Sequence, residues 1–352
     1  NILITGGCGF VGSNLALRFK EKFPQSNIYS LDNLKRRGSE LNVERLKQNN
    51  IIFVYGDVRN RSDLVIDKKI DLIIECSAEP SVMAGINESP EYVLDTNLFG
   101  AINCFELARK NGADIVFIST SRVYPIEELN NLQIRETGTR FKLMDNQKIT
   151  GVSGKGIAEN FTLFGARSIY GSTKLASELI LREYIENYKI KAIINRCGVI
   201  AGPWQFGKVD QGVATLWLAR HIFKKPVSYI GFGGLGKQVR DFLHVDDLFD
   251  VLLWQLKNID KCNGEVFNIG GGLENSLSLV ELTQMCQKIT GNKVEIKNVK
   301  NERVGDIKIY ISDYSKFNKV SSWKPKKTSE NILKDTYGWI INNKSVLEKV
   351  LT

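Results

Sequence analysis

Short apolar runs alternate with amphipathic stretches through the N-terminal part of the chain. The apolar runs have the length and continuity of strands buried on both faces of a sheet, and they lie at residues 2–5, 27–31, 51–55, 72–76, 115–119 and 191–196. The stretches between them have a helical period, as at 11–22, 39–48, 90–110 and 172–187. Because strand–helix–strand order requires crossover connections, the pattern predicts an α/β fold with a doubly wound parallel sheet.

The pattern changes after Pro203, where helices and short strands mix around glycine clusters at 231–236 and 270–272. We therefore predict a first domain at residues 1–202 and a smaller, mainly substrate-binding lobe at 203–352, with segments that return to the first domain. Residues 125–167 form an insertion in the first domain that is longer than most loops. This insertion either covers the active site, partly as helix, or is a surface loop without a catalytic part.

Composition and charge exclude several classes of partner. The 352 residues carry 48 Lys and Arg against 39 Asp and Glu, a net charge of +9. Because the lysines are dispersed, we expect no nucleic-acid partner, and no apolar run in the sequence is long enough to cross a membrane. Six cysteines are scattered without a CxxC pair beside two histidines, so we expect no metal site. Free thiols and a start without a basic, apolar leader predict a cytoplasmic protein with no membrane partner.

A glycine-rich loop follows the first predicted strand and opens the first helix. Gly6, Gly9 and Gly12 are spaced as Gly-x-x-Gly-x-x-Gly. Glycine allows a positive φ and a close approach of the backbone to a pyrophosphate, and the helix N-terminus provides N–H groups and the positive end of a dipole. In this strand-to-helix context the spacing predicts a dinucleotide site.

Carboxylates follow the next two strands. Asp32 ends the second strand, where a carboxylate accepts hydrogen bonds from the adenosine ribose and repels a 2′-phosphate. This favours NAD over NADP, although Arg36 and Arg37 nearby are of the type that binds a 2′-phosphate. Asp57 follows the third strand, where its side chain can meet the adenine amino group.

Tyr170 and Lys174 lie four residues apart on one face of a predicted helix. An ammonium and an oxidised nicotinamide both stabilise a phenolate, which can then remove a hydroxyl proton while hydride leaves the same carbon. This spacing also arises by chance in amphipathic helices. The hydroxyl run at 119–121 supports the catalytic interpretation, because ligands bind at the carboxyl ends of strands in open α/β sheets. Ser119 and Ser121 could instead cap a helix.

These features together resemble the extended short-chain dehydrogenases/reductases that act on nucleotide sugars, which have a Rossmann fold and a catalytic Ser/Thr, Tyr and Lys. The resemblance covers nearly the whole chain and implies Thr120, Tyr170 and Lys174 as the catalytic residues. Thr120 stands four positions before the tyrosine of a Val-Tyr-Pro turn that is Val-Tyr-Gly in the family. Asn97 matches a cofactor-side asparagine, and residues 77–81 match the family's alanine-rich segment after the fourth strand.

The remaining site residues complete this interpretation. The predicted cofactor-binding residues are Gly6, Gly9, Phe10, Val11, Gly12, Asp32, Asn33, Asp57, Val58, Ser77, Ala78 and Asn97. The predicted substrate-binding residues are Glu79, Arg122, Gln205, Gln211, Arg240 and Arg303. The last two are candidates for the diphosphate and ribose, since a guanidinium binds phosphate bidentately; alternatively, either is a surface ion-pair residue.

The blocks at 205–212, 236–244 and 32–39 resemble the CDP-paratose/CDP-tyvelose 2-epimerase branch of the family. The implied reaction inverts a sugar carbon, C2 in that branch, without net redox. Tyr170 takes a hydroxyl proton, hydride moves to NAD, the keto sugar turns over, and hydride returns to the opposite face. The resemblance also implies a homodimer or larger homo-oligomer, paired through the helices that flank Tyr170.

Other activities of the same family stay open, namely a C4 epimerase, a 4,6-dehydratase and a reductase. Ser121 and Arg122 follow Thr120, where a dehydratase carries Asp and Glu, and this disfavours β-elimination. A more distant alternative is an NAD-binding protein that has lost catalysis. The intact Thr120, Tyr170 and Lys174 argue against that alternative.

Overall fold

The computed structural model of the protein describes residues 1–207 and 211–351. Residues 208–210, the middle of the block that resembles the 2-epimerase branch, lie outside the described residues. The strands are β1 Ile2–Thr5, β2 Ile28–Asp32, β3 Ile52–Tyr55, β4 Leu72–Glu75, β5 Asp114–Thr120, β6 Ile134–Glu136, β7 Phe141–Leu143, β8 Val152–Ser153, β9 Gly156–Ile157, β10 Ala192–Cys197, β11 Val199–Ala201, β12 Val227–Ile230, β13 Val239–His244, β14 Val266–Ile269, β15 Ser276–Ser278, β16 Ile296–Val299 and β17 Ile309–Tyr310. The helices are α1 Phe10–Lys22, α2 Glu40–Gln48, α3 Glu91–Leu94, α4 Gly100–Asn111, α5 Ile126–Asn130, α6 Ile169–Tyr188, α7 Val213–Ile222, α8 Val245–Lys257, α9 Ile259–Cys262, α10 Leu279–Thr290, α11 Ser315–Ser321, α12 Ser329–Asn342 and α13 Lys344–Leu351.

Seven strands form one sheet in the order β14-β10-β5-β4-β1-β2-β3. β1 pairs in parallel with β2 on one side and β4 on the other, and the β2–β3 and β4–β5 pairs are also parallel. The strand order therefore reverses between β1 and β4, which is where open α/β sheets bind ligands. This confirms the predicted doubly wound α/β fold, and β14 adds a seventh strand that the hydrophobic pattern did not indicate.

The chain divides into two compact units made of interleaved segments. Unit 1 comprises Asn1–Val123, Ile169–Arg196 and Leu248–Phe267. Unit 2 comprises Tyr124–Ser168, Cys197–Asp247 and Asn268–Thr352. The segment 125–167 is therefore part of unit 2, whereas α9 and most of α8 belong to unit 1.

The core of unit 1 explains why its strands are continuous apolar runs. β1, β2 and β4 are buried at every position, so both faces of these strands select apolar side chains. Phe105 of α4 and Phe117 of β5 meet edge to face with ring centroids 5.7 Å apart, inside a cluster that includes Leu3, Leu31 and Ile73. Polar residues follow the carboxyl ends of these strands, and the candidate active site lies at that edge of the sheet.

The predicted helix at 90–110 is present, but it contains a π turn that the prediction missed. The structure has α3, a π-helical turn at Asp95–Phe99, and then α4. The hydrophobic period of a helix does not reveal a single wider turn of this kind. Such turns are frequent at functional positions, and this one contains Asn97.

Residues 125–167 have structure of their own, and the helix expected there is limited to α5. The rest of the segment contains two hairpins, β6–β7 and β8–β9. Just before it, the buried Tyr124 donates a hydrogen bond to Asn268 Oδ1 at 2.8 Å. The Ile157 N–H donates to the Ile311 carbonyl at 2.8 Å. Side-chain and backbone bonds therefore anchor this segment within unit 2.

Unit 2 contains a small sheet ordered β11-β13-β15, with β17 paired to β13. Its helices α10 and α12 begin with capping boxes at Ser278 and Thr328, which satisfy the first N–H groups of each helix. All six cysteines of the chain are free thiols. Among the described residues, no helix combines the length and the apolar character needed to cross a bilayer.

Candidate active site

The glycine loop lies where the carboxyl ends of β1 and β4 meet, with Thr5 in register with Glu75. Gly6 has a φ of +59°, and a Cβ on it would lie 2.9 Å from the Cys76 carbonyl oxygen. A Cβ on Gly12 would lie 2.3 Å from the Gly6 carbonyl oxygen. Both positions require glycine, because a side chain would force apart the loops after β1 and β4, or the loop and α1.

The N-terminus of α1 is open to an anion. The helix begins at Phe10 after Gly9, with no side-chain cap and no acidic residue in its first turn. The N–H groups of Phe10, Val11 and Gly12 have no carbonyl partner within the helix, and the helix dipole places positive charge there. A pyrophosphate therefore fits this turn.

Asp32, the last residue of β2, is buried and is oriented by the backbone. Its Oδ2 accepts a hydrogen bond from the Cys8 N–H at 3.0 Å, and its Oδ1 accepts one from the Leu34 N–H at 2.8 Å. Burial raises the pKa of this carboxyl, and the backbone hydrogen bonds oppose the rise. A carboxylate has about four acceptor positions, so Asp32 is held at the glycine loop with capacity left for a ribose hydroxyl.

Asp57 is already surrounded by donors from its own chain. Its Oδ1 accepts bonds from the Arg59 N–H and Nε, each at 3.0 Å, and its Oδ2 accepts bonds from Arg59 Nη2 at 2.7 Å and Asn33 Nδ2 at 2.9 Å. Burial alone raises the pKa of this carboxyl, but the bonds from Arg59 and Asn33 outweigh it and lower the pKa to about 2. An adenine amino group at Asp57 would have to replace one of these donors.

Asn97 fixes the loop that follows β4. Its Oδ1 accepts a hydrogen bond from the Glu79 N–H at 2.8 Å, and its Nδ2 donates to the Glu79 carbonyl at 3.0 Å. Ser177 of α6 donates to the Asn97 carbonyl at 3.1 Å. The side chain that the sequence assigned to the cofactor thus holds the backbone of the loop that carries Ser77 and Ala78.

The three predicted catalytic residues all lie in unit 1. Thr120 ends β5, and Tyr170 and Lys174 lie one turn apart on α6. Thr120 Oγ1 accepts a hydrogen bond from the Arg122 N–H at 3.2 Å, and a hydroxyl that accepts such a bond keeps its own hydrogen to donate. Lys174 is buried, whereas Tyr170 is partly exposed.

The Lys174 ammonium forms a buried ion pair with Glu75. The Nζ atom lies 3.3 Å from Glu75 Oε2 and 3.9 Å from the centroid of the Phe117 ring. Burial raises the pKa of the Glu75 carboxyl, and the Lys174 ammonium opposes the rise. The sequence alone did not predict this pair, although a carboxylate at the end of an otherwise apolar strand was a visible signal.

A second buried network ties the catalytic strand to the catalytic helix. Glu178, one turn after Lys174, accepts a hydrogen bond from Ser119 Oγ at 2.5 Å and a bond from Arg196 Nη2 at 2.7 Å. The side chains of Arg196 and Glu178 are 5% and 2% exposed. The hydroxyl of Ser119, considered above as a helix cap, instead holds the strand of Thr120 against α6.

In unit 2, Arg240 lies beside the turn that carries Arg303. Arg240 Nη2 donates to Asp306 Oδ1 at 2.8 Å, and its Nη1 donates to the Val239 carbonyl at 2.8 Å. The Asp306 N–H donates to the Arg303 carbonyl at 3.2 Å and closes the turn. Arg240 therefore forms an ion pair with Asp306, and this pair orients its guanidinium.

Gln205 and Gln211 flank the residues that the structure does not describe. Gln205 Nε2 donates to the Ile200 carbonyl at 2.9 Å, and its Oε1 accepts a bond from the Thr215 hydroxyl at 2.9 Å. This side chain therefore links β11 to α7 within unit 2. Gln211 is partly exposed and directly precedes Gly212, the N-cap of α7.

A model of the NAD dependent epimerase/dehydratase family matches residues 2–270. That span contains the glycine loop, Asp32, Thr120 and the pair formed by Tyr170 and Lys174. The chain belongs to this family. Membership confirms the predicted relation to the extended short-chain dehydrogenases/reductases, the prediction of an enzyme, and NAD as the cofactor.

Relatives within the family catalyse different reactions. The CDP-paratose 2-epimerase of Salmonella typhi is 30% identical to this chain, over 96% of the chain and 98% of that protein. A dTDP-glucose 4,6-dehydratase of Mycolicibacterium smegmatis is 27% identical, over 98% of the chain and 94% of that protein. The crystal structure of a UDP-glucuronic acid 4-epimerase from Bacillus cereus, with UDP-glucuronic acid and NAD, has a TM-score of 0.78 at 25% identity, over 97% of this chain and 99% of that one. Membership therefore places this chain among nucleotide-sugar epimerases and dehydratases.

Replacing Asp32 tests its role toward the ribose. We expect Asp32→Ala to weaken NAD binding about tenfold to a hundredfold, because a charged acceptor for the ribose is lost. The change also removes repulsion of a 2′-phosphate while Arg36 and Arg37 stay nearby, so the preference for NAD over NADP falls. Fluorescence titration with both cofactors measures the two affinities.

The ratio of these affinities is more informative than either value, because losing the bonds to Cys8 and Leu34 loosens the loop for both cofactors. Asp67→Ala removes an exposed carboxylate of unit 1 and serves as the control, with both affinities unchanged. An Asp32→Ala protein with the wild-type ratio would exclude Asp32 from ribose recognition.

Proposed function

We propose that this chain is a nucleotide-sugar epimerase that inverts C2 of a CDP-hexose, of the CDP-paratose/CDP-tyvelose type, through a transient keto sugar. The observation that carries the proposal is the catalytic edge of unit 1, where Thr120 ends β5 and α6 carries Tyr170 one turn before the buried Lys174. These groups suit the removal and return of a proton at one sugar oxygen. An epimerase needs that proton transfer in both directions.

Each residue of this set has its own role in the proposal. Tyr170, as a phenolate, accepts the hydroxyl proton of the sugar and later returns it. Lys174 stabilises the phenolate with its positive charge, and Thr120 donates a hydrogen bond to the reacting oxygen. Bound NAD supplies the hydride acceptor and, in reverse, the hydride donor. The glycine loop and Asp32 must retain the cofactor while the keto sugar turns over.

Ser121 and Arg122 favour epimerisation over dehydration. They occupy the turn after Thr120, where a dehydratase would need an acid and a base for β-elimination. Epimerisation needs no such pair, because Tyr170 handles one proton in both directions. A reductase would in addition consume reduced cofactor from solution.

The assignment of CDP as the nucleotide and of C2 as the inverted carbon depends on similarity to relatives. The relative with 30% identity is a CDP-paratose 2-epimerase, and the block at 205–212 resembles that branch. Arg240 and Arg303 provide two guanidinium groups in unit 2 that suit a diphosphate. Because the chain also resembles a UDP-glucuronic acid 4-epimerase, inversion at C4 of a UDP-sugar is the second candidate.

The test combines a choice of substrates with an isotopic label. The purified protein is incubated with CDP-, UDP-, GDP- and dTDP-hexoses and followed by proton NMR, and any ligand released from it is identified by mass spectrometry. We expect a CDP-hexose to give an epimer mixture with a changed C2 proton signal. Deuterium placed at C2 stays in the product, because the hydride returns to the carbon that it left.

Each competing activity has a distinct outcome in this experiment. Conversion of UDP- or GDP-hexoses alone would refute the CDP assignment. A changed C4 signal would indicate a C4 epimerase, and loss of water from the sugar would indicate a dehydratase. Stoichiometric consumption of added NADH would indicate a reductase.

The proposal includes a homodimer or larger homo-oligomer that pairs through the helices flanking Tyr170. It is supported by exposed large apolar side chains on these elements, Phe99 before α4 and Leu179 on α6, since exposed apolar groups are common in interaction surfaces. The free cysteines suit a reducing compartment, which supports a cytoplasmic location. A role in polysaccharide biosynthesis follows from the CDP-sugar assignment.

A further inference from the structure

Glu75 lies at the point where the strand order reverses. It ends β4, in register with Thr5 of β1 on one side and Phe117 of β5 on the other. Its side chain is fully buried. Burial raises the pKa of its carboxyl, and the Lys174 ammonium, the Ser77 N–H and the Thr5 hydroxyl oppose the rise. A carboxylate in such a place is costly unless a cation compensates its charge.

That cation is Lys174. Its Nζ lies 3.3 Å from Glu75 Oε2, and the two side chains are 2% and 0% exposed. Without a counter-charge, an ammonium buried in this site would be costly, because it has been removed from water. The carboxylate therefore allows a positive charge to exist at this depth.

In the part of the chain that the structure describes, Glu75 and Lys174 are the charges that act on this cluster. On α4, Cys104 is fully buried, and burial together with the charge of Glu75 raises the pKa of its thiol well above the usual value. The facing side chains on β1 and β5 are the Thr and Phe named above. On α6, Tyr170 lies one turn before Lys174.

We propose that Glu75 is a positioning residue that holds the Lys174 ammonium at the sheet edge, and thereby sets the pH at which Tyr170 loses its proton. This inference rests on the proposed function for the roles of Tyr170 and Lys174. The inference predicts the direction in which the Tyr170 ionisation moves when the carboxylate is removed. Without the carboxylate, the ammonium is no longer held at the sheet edge, the phenolate loses its stabilising charge, and Tyr170 ionises at a higher pH.

The experiment titrates Tyr170 in the NAD-loaded protein and compares the wild type with Glu75→Gln, which keeps the shape of the side chain and removes its charge. Near-ultraviolet absorbance follows phenolate formation, and Tyr170→Phe in each background isolates the contribution of Tyr170. We expect the Tyr170 transition to move upward by about one pH unit or more in Glu75→Gln. The acid limb of the kcat profile moves in the same direction, and Glu75→Asp, which keeps the charge on a shorter arm, shifts less.

An unchanged Tyr170 transition in Glu75→Gln overturns the inference. A transition at lower pH also overturns it, because Glu75 would then cancel the charge of Lys174 instead of maintaining it. If Glu75→Gln does not fold, the same titration is made on Glu75→Asp. We expect a smaller upward shift of the Tyr170 transition in that variant, and an unchanged transition would contradict the inference.

The absorbance measurement needs no sugar, so it separates this inference from the proposed function. An upward shift in a protein that converts no CDP-hexose supports the role of Glu75 and removes only the sugar assignment. An unmoved transition in a protein that does convert a CDP-hexose removes only the role of Glu75.

Discussion

Replacing Tyr170 with phenylalanine lowers kcat by about 10²- to 10⁴-fold, which is the range associated with a general acid–base group. The aromatic ring remains, so the packing of α6 is kept while the oxygen that accepts the sugar proton is lost. NAD binding is expected to stay at its wild-type level, because the glycine loop and Asp32 hold the cofactor. Steady-state kinetics at saturating sugar, with NAD binding titrated on the same sample, separates the two effects.

Tyr188→Phe is the matched control for this experiment. It removes the same hydroxyl from the same helix at an exposed position near the end of α6, and we expect it to leave kcat unchanged. If Tyr170→Phe kept the wild-type kcat, Tyr170 would not be the proton acceptor and the proposed mechanism would be wrong.

The second large effect is on stability and concerns Glu178. Glu178→Gln leaves the Arg196 guanidinium buried without its counter-charge, and we expect the free energy of unfolding to fall by about 3–5 kcal/mol. The bond from Ser119 weakens at the same time, so Thr120 and Tyr170 lose a shared support and kcat also falls. Urea unfolding followed by circular dichroism measures the stability.

Two further variants show whether burial of the ion pair is the cause of the loss of stability in Glu178→Gln. Arg18 and Glu21 form a pair with the same 2.7 Å separation, but their side chains are 39% and 70% exposed, so Glu21→Gln should cost about 1 kcal/mol or less. The double variant Glu178→Gln/Arg196→Met should recover most of the lost stability, because an apolar replacement of a buried ion pair is often neutral. Equal costs for Glu178→Gln and Glu21→Gln would contradict the explanation.

Most strands of unit 1 could be predicted because they are apolar runs buried on both faces; β3 is partly exposed and could be predicted from its apolar run alone. The predicted runs agree with β1, β2, β3, β4, β5 and β10 to within one or two residues. The π turn at Asp95–Phe99 could not be predicted, since it leaves the hydrophobic period of the helix almost unchanged. The hairpins of 125–167 have strands of two or three residues, which are too short to show a period of two.

The sequence by itself determined which residues are candidates for the chemistry. The glycine loop, Asp32 at the end of a strand, and Tyr170 with Lys174 on one helical turn are all local patterns, because each depends on neighbours within a few residues. The family resemblance then added Thr120 to this set.

Only the tertiary structure decided what holds these residues. Glu75 and Lys174 are 99 residues apart in the chain, and Ser119 and Glu178 are 59 apart. The strand order and the packing of α6 bring them together, and no spacing rule connects such distant positions. The strength of these pairs comes from removal of water, which exists only in the folded interior.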